Sequence, residues 1–477
     1  MAVSLGNSVE FAIATYALFK LGAILNPLNP SLNVQQVVAA TNHLGASHLI
    51  IGTETNLSRK PPRDNSMLLR HIAPNIGSGK FESELVPSLQ GIVLVDNSSG
   101  RVNASELKAT IPFPEVLAGD THTLPDQGLH KDEIVNIQFT SGTTSMPKAA
   151  CLSHRSILNN GVQIGDRMLL TAEDVVVCPP PLFHCFGCIL GYMATATHGS
   201  AIVFPTEAFD PLATLKAVQE YKGTALYGVP TMFIAELELL ANGTVSHEGF
   251  QHLRTGIAAG SAVPAELMRK LHRTLNLTQL TNCYGMTETS PVSCMTRTDD
   301  PLEKRTDTVG RLLPHVEAKI VDIHDRSRTL GIGERGELAV SGYLLMKEYW
   351  GDPTKTAEAM IPDQDDPKKL WMLTGDEAEM DAEGYVKITG RIKDLIIRGG
   401  ENIHPLEVEN CLLSHDDVGQ SSVVGLPDEK YGEVVAAFVV PRQGSGLTAD
   451  SVRTWVREKL SGHLGMYPVA LRTAGDC

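Results

Sequence analysis

The chain has 477 residues, with 40 Lys and Arg against 55 Asp and Glu and a formal charge of −15. That length supports a large core and more than one domain, and the acidic balance excludes a broad basic surface for nucleic acid while leaving room for a local cationic pocket. Eight cysteines without a framework spacing point to a reducing compartment.

Residues 9–25 are mostly apolar, but Glu10 and Lys20 interrupt them and no cleavage-site pattern brackets them. This predicts an amphipathic helix, neither signal peptide nor membrane span, ended by Gly22 and followed by a buried strand running into Pro27 and Pro30. Residues 35–44 predict a helix and 48–51 a strand, and this alternation suggests a parallel sheet. Residues 56–79, with Lys60-Pro61-Pro62-Arg63, read as a polar surface excursion, and 91–95 as a strand. Residues 120–127 read as a loop leading into an apolar run, 134–139.

Behind that run, Thr140-Ser141-Gly142-Thr143-Thr144-Ser145-Met146-Pro147-Lys148 packs five hydroxyls, a glycine and a lysine into nine positions. Glycine admits backbone N–H groups to an anion, hydroxyls add donors and Lys148 adds a point charge, so the composition suits phosphate. It departs from the P-loop pattern because Pro147 precedes the lysine. From composition alone, a solvated Ser/Thr turn explains it equally well.

Residues 174–178 predict a strand stopped by Pro179-Pro180-Pro181, which fixes Phe183 and His184 in place. Cys185 and Cys188, with Cys178 nearby, lack a second ligand pair, so packed thiols are favoured over a metal or redox role. Strand, helix and strand recur at 199–204, 211–221 and 224–227. Val229-Pro230-Thr231-Met232 follows the last of these, and Ala259-Gly260-Ser261 follows the strand at 255, at the edge where open α/β sheets bind ligands. Small residues there leave room for a ring or a chain; tight strand–helix packing is the alternative. Tyr284-Gly285-Met286-Thr287-Glu288-Thr289 joins a stacking face, a glycine and a hydroxyl beside a carboxylate, though Thr-Glu also caps helices.

Residues 316–321 and 336–342 alternate as half-buried antiparallel strands. Trp371-Met372-Leu373-Thr374-Gly375-Asp376 places a carboxylate just after a strand and a glycine. Gly390-Arg391-Ile392-Lys393-Asp394 precedes Arg398-Gly399-Gly400-Glu401-Asn402, whose paired glycines allow close passage of a thin ligand or an ordinary turn. Strands at 421–424 and 434–440 and a helix at 449–460, with Val452, Trp455, Val456 and Leu460 on one face, predict a small α+β domain.

The loop at 140–148, Tyr284 to Thr289, Thr374-Gly375-Asp376 and residues 390–403 together resemble the ordered signatures of the acyl-adenylate-forming enzymes. That superfamily holds acyl-CoA synthetases, peptide-synthetase adenylation domains and beetle luciferases, and the likeness is nearest to medium-chain fatty acyl-CoA synthetases. The resemblance implies an α/β fold with a large N-terminal adenylating domain of parallel-sheet subdomains plus a small antiparallel one (1–390), a hinge (391–394), and a small mobile α+β domain (395–477). It implies ATP, Mg2+ and coenzyme A as partners of a small carboxylic acid, with no nucleic acid.

By the same resemblance, Thr140, Ser141, Gly142, Thr143, Thr144, Ser145 and Lys148 hold phosphates, and Gly260 and Ser261 flank the ligand. Tyr284 and Gly285 flank adenine, Thr287 contacts the α-phosphate, Glu288 holds magnesium, and Asp376 with Arg391 takes the ribose. Gly399 and Gly400 line the pantetheine path. His184 stands where amino-acid-activating relatives carry aspartate, which implies an acid without an α-amino group; a core histidine is the plainer alternative.

The chain looks short against the family at both ends. Residues 469–477 contain no counterpart of the family's final lysine, which implies slow adenylation. Rival readings are a relative that binds nucleotide or acyl-adenylate without turnover, and activation of an amino or aryl acid for a carrier protein. The C-terminal Gly475-Asp476-Cys477 is no peroxisomal tripeptide, so the expected location is intracellular, cytoplasmic or organellar.

Overall fold

In the computed structural model, the described residues are 1–58, 60–119, 128–140, 147–260, 263, 265–398, 401–442, 444–460 and 469–471. They build four main sheets. The first is wholly parallel, in the order Asn26–Pro27, Ala2–Ser4, His48–Gly52, Gly91–Val95, Ile111–Pro112. Helix Val9–Leu21 leads into it; Ser8 caps the helix by accepting from the Phe11 N–H, and Gly22, at φ 68°, ends it. Helix Val34–Leu44 begins with a reciprocal box between Asn33 and Gln36 and buries Val37, Ala40, Thr41 and Leu44.

The second sheet has seven strands. Ala201–Val203, Val175–Val177, Ala225–Gly228, Thr255–Ala258 and Gln279–Gly285 run parallel, and Val292–Met295 and Arg311–Leu312 add an antiparallel edge. In register, Gly228 lies beside Ala258 and Ala258 beside Asn282, so two neighbouring strands end level at one crest and the third runs on past it to Gly285. The third sheet is antiparallel, with Val316–Val321, Gly336–Gly342 and Leu370–Met380 in succession and Met360–Pro362 and Val386–Arg391 both paired to the last of these. The fourth carries Glu401–Ile403, Ile396–Arg398, Gly432–Pro441 and Val418–Asp428, with Val469–Leu471 parallel to Gly432–Pro441. Val408 and Leu412 of helix Pro405–Leu413 and Val452 and Val456 of helix Ala449–Lys459 fill its own separate core.

Two sequence readings need correction. Residues 56–79 are more than a surface excursion: Glu54–Leu57 and Lys60–Asp64 pair as a hairpin, and helix Ser66–Ile72 buries Leu68, Leu69 and Ile72 in the first core. The prolines at 61 and 62 hid the strand because proline is tolerated only at such an exposed edge. Nor does Asp376 follow a strand. Leu370–Met380 continues through it, and Asp376 pairs with Arg391. A third difference concerns residues after His184: Phe186–Met193 form a π-helix, a rare wide helix often found at functional sites, in which all eight residues are buried.

Candidate active site

Strands Ile134–Phe139 and Ala149–Ser153 form a hairpin, and the Thr140 N–H closes its mouth on the Lys148 carbonyl at 2.8 Å. Ser141, Gly142, Thr143, Thr144 and Ser145 lie outside the described residues, as do Ser261, Gly399, Gly400 and the predicted loop 120–127. Lys148 is described. Its Nζ lies 3.4 Å from the Tyr349 hydroxyl and 4.7 Å from the centroid of that ring. The same hydroxyl donates to Glu288 Oε1 at 2.6 Å. One phenol therefore joins the hairpin's lysine to a buried carboxylate, across 201 positions on one side and 61 on the other.

Glu288 sits in the short 3-10 turn Thr287–Thr289, and Met346 anchors it by donating its N–H to the Glu288 carbonyl at 2.8 Å. Burial, then the neighbouring Glu288 charge, pushes the Tyr349 phenol far above its ordinary range, so it stays protonated and donating. Thr287 opens the turn, half-buried, next to the Cys185 thiol. That thiol and Cys188 share the Gln138 amide, with Cys185 donating to Gln138 Oε1 and Gln138 Nε2 donating to Cys188, each at 2.8 Å. Burial pushes both thiols up, and no group of three His, Cys, Asp or Glu among the described residues is placed to hold a metal.

At the other end of the same short stretch, the Tyr284 hydroxyl donates to Asp376 Oδ2 at 2.5 Å, while Arg391 Nε approaches Asp376 Oδ1 at 3.6 Å. The Asp376 carboxyl is raised chiefly by burial, which outweighs the Tyr284 hydrogen bond and Arg391. Its strand is held from behind. Buried Glu337 accepts from the Gly375 N–H at 3.0 Å and pairs with Arg326 at 3.0 Å, and Thr374 Oγ1 donates to the Leu338 carbonyl at 2.8 Å. Gly375 adopts φ 73° with nothing within 4 Å of a would-be Cβ, so glycine serves the backbone turn there. At Gly285 the reason differs: a Cβ would fall 1.7 Å from the Pro291 carbonyl oxygen, so packing inside the protein already demands glycine.

Gly260, at φ 90°, ends the neighbouring strand with Val229 beside it. His184 follows the triple proline; its Nδ1 accepts from the Phe186 N–H at 3.2 Å, and desolvation lowers its pKa, favouring the neutral ring. Lys393 and Asp394 fall in the turn Ile392–Asp394, between the last strand of the third sheet and the first of the fourth.

Geometry thus gathers two groups, Lys148 with Tyr349 and Glu288, and Tyr284 with Asp376 and Arg391, joined through the backbone of residues 284–288, with Thr287 on that stretch. Sequence reading missed Tyr349 and Glu337, because nothing in Lys347-Glu348-Tyr349-Trp350 or Gly336-Glu337-Leu338 distinguishes them before the chain is folded. The donor set fits magnesium: Glu288 offers a hard carboxylate with one oxygen held by Tyr349, and such an ion takes one or two carboxylates and draws its other ligands from phosphates and water.

Comparison with known proteins agrees with this fold. The family described as AMP-binding enzyme matches residues 1–350, and its C-terminal domain matches 407–473. The acyl-CoA ligase sidI of Aspergillus fumigatus is 42% identical over 469 residues, covering 97% of this chain and 76% of that protein. The mitochondrial medium-chain acyl-CoA ligase ACSF2 of Bos taurus is 35% identical over 463 residues, covering 95% and 72%. Among solved structures, ATP-bound MatB from Rhodopseudomonas palustris superposes with a TM-score of 0.81 at 25% identity, over 99% of this chain and 84% of that one.

Proposed function

Because this chain belongs to the AMP-binding enzyme family, we propose that it is an AMP-forming acid–thiol ligase that activates a hydrophobic carboxylic acid with ATP and passes the acyl group to coenzyme A. The observation that carries this reading is the stretch 284–288, tied at one end to Asp376 and at the other to Tyr349 and Lys148. A single rigid turn would then align the ribose, the α-phosphate and the pyrophosphate.

In the first step the acid's carboxylate oxygen attacks the α-phosphorus, an O–P bond forms, and the bond to pyrophosphate breaks. Asp376 accepts from the ribose hydroxyls with Arg391 beside it, and Tyr284 fixes the carboxylate's orientation. Lys148 faces the departing phosphates and Thr287 the α-phosphate. Glu288 would hold magnesium, which when bound would neutralise charge on the departing phosphates. In the second step the thiol sulfur attacks the acyl carbon, and the acyl–oxygen bond to AMP breaks. No protein nucleophile takes part, so catalysis is positioning and preorganised charge. His184, if it lines the acid's site as its place after the triple proline suggests, is held neutral by desolvation and carries no charge that would pair with an α-ammonium, which favours acids lacking one.

A hydroxylamine-trapping assay with ATP, magnesium and a panel of straight, branched and aryl acids tests the reading. The expected result is hydroxamate from hydrophobic acids, and CoA thioester when coenzyme A replaces hydroxylamine. ATP binding without hydroxamate from any acid would overturn it.

A further inference from the structure

Helix Pro230–Ala241 carries a group that the chemistry above does not use. Glu236 is 0% exposed, and neither of its carboxyl oxygens has a hydrogen-bond partner among the described residues. It belongs to the buried face of that helix, with Pro230, Phe233, Leu237 and Leu240, and the last three pack into the apolar cluster that includes Leu226, Ala258 and Met268. Burial raises its pKa well above the usual glutamate range, so the group is a neutral acid able both to donate and to accept. A buried polar group without a partner costs stability, and leucine at this position would be the cheaper core residue.

The helix is also well placed. It starts at the end of strand Ala225–Gly228, whose neighbour Thr255–Ala258 runs into Gly260 and whose next neighbour Gln279–Gly285 carries Tyr284. Phe233 abuts Gly228, and Val229 abuts Gly260. On the ligase reading, Tyr284 and Asp376 take the nucleotide at the third strand, which leaves the crest over the first two strands, where this helix starts, for the acyl chain. Two strand spacings are roughly 10 Å, and Glu236 lies about 9 Å along the helix from Pro230, within reach of the far half of a medium-length acid.

We propose that Glu236 is a specificity-determining residue of the acyl site, hydrogen-bonding an oxygen substituent, a hydroxyl or carbonyl, on an otherwise apolar acid. This rests on the ligase reading and deepens it: the substrate is an oxygen-bearing acyl chain in place of a plain fatty acid. An apolar site with one placed polar group is how such pockets discriminate, because the analogue lacking the oxygen leaves the acid unpaired.

The test compares kcat/KM for CoA thioester formation on C5 to C8 acids, unsubstituted and monohydroxylated at each carbon from C3 outward. It uses the native chain and the Glu236→Gln and Glu236→Leu variants, with melting temperatures for all three. The native chain is expected to favour one hydroxylation position by roughly tenfold or more. Glu236→Gln should keep most of that preference, and Glu236→Leu should lose it, gain on the plain acid and melt no lower. Equal use of plain and hydroxylated acids by the native chain overturns the inference while leaving the ligase reading intact, as does a preference unchanged in Glu236→Leu. Absence of thioester from every acid would overturn both.

Discussion

Tyr349 is the residue on which the phosphate side of the site converges. Its hydroxyl is hydrogen-bonded to Glu288 and close to Lys148, so two opposite charges are held apart and aimed by one neutral group. Tyr349→Phe keeps the ring, with its cation–π contact to Lys148, and removes only the hydroxyl. Loss of a hydrogen bond to a charged group costs about 1.5–3 kcal/mol, so ATP–pyrophosphate exchange should slow roughly 10- to 100-fold. The thioester step from supplied acyl-adenylate should change little. Equal slowing of both steps would mean that Tyr349 acts on the fold at large. Asp376 makes a second prediction at this scale, in pH. Its carboxyl is raised by burial, and only the ionised form accepts from both ribose hydroxyls. Affinity for adenosine, which carries no titrating phosphate, should therefore be full at neutral pH and fall with acidification at a midpoint above the ordinary aspartate value of about 3.9. In Asp376→Asn the affinity should be low and lack that transition. Calorimetric titration from pH 7.5 down to pH 4.5 reads this directly, and an unchanged affinity across the range would show that Asp376 does not hold the sugar.

Among the elements, strand Leu370–Met380 presents consecutive carboxylates to opposite sides: Asp376 toward Tyr284 and Arg391, and Glu377 toward helix Pro405–Leu413. Glu377 pairs with His404, at the cap of that helix, at 3.0 Å and accepts from the Thr389 hydroxyl. Burial alone would raise the Glu377 carboxyl, but the His404 and Thr389 hydrogen bonds outweigh it and hold it below the usual range. A depressed folded pKa contributes stability above the unfolded glutamate value and loses it as pH falls through the folded value, so acid should undock this helix. Glu377→Gln should weaken the docking by about 3 kcal/mol, the low end for breaking a buried pair. The checks are faster proteolysis and hydrogen exchange across residues 391–404, with the three preceding sheets unaffected. Unchanged protection there would show the pair to be passive. How much of this was legible beforehand follows from the range of each interaction. Helix Val34–Leu44 and the hairpin around the hydroxyl-rich loop were readable because caps, glycines and apolar period are local. Asp376 and Lys148, the proposed ribose and phosphate contacts, stand out in motifs, whereas Tyr349, Glu337, His404 and Glu236 stand out only through partners made, or left unmade, by folding. The hairpin Glu54–Leu57 with Lys60–Asp64 escaped although its pairing is local, because Pro61-Pro62 in its second strand signals a loop.

Over the whole molecule, the chemistry requires one small unit to serve two different second substrates. The fourth sheet has its own core and is joined to the third through the turn Ile392–Asp394, directly after Arg391, the residue beside Asp376. Glu377 and His404 bridge the same two units, and on the proposed mechanism this pair holds one of two arrangements, the other admitting the thiol. With a formal charge of −15, the surface does little to attract ATP or coenzyme A, both polyanions, and the work of capture falls on local cations such as Lys148 and Arg391. If the turn is the pivot, fixing its backbone should uncouple the half-reactions. Asp394→Pro locks φ at that position and restricts Lys393 before it. Single-turnover measurements should then show one half-reaction slowed at least about tenfold more than the other, with substrate affinities nearly preserved, as expected when a hinge and not a contact is altered. Glu377→Gln, which loosens the bridge without stiffening the pivot, should slow neither step that selectively, and Asp394→Pro combined with it should retain the asymmetry. Equal slowing of adenylation and thioester formation in Asp394→Pro would place the pivot elsewhere in the chain.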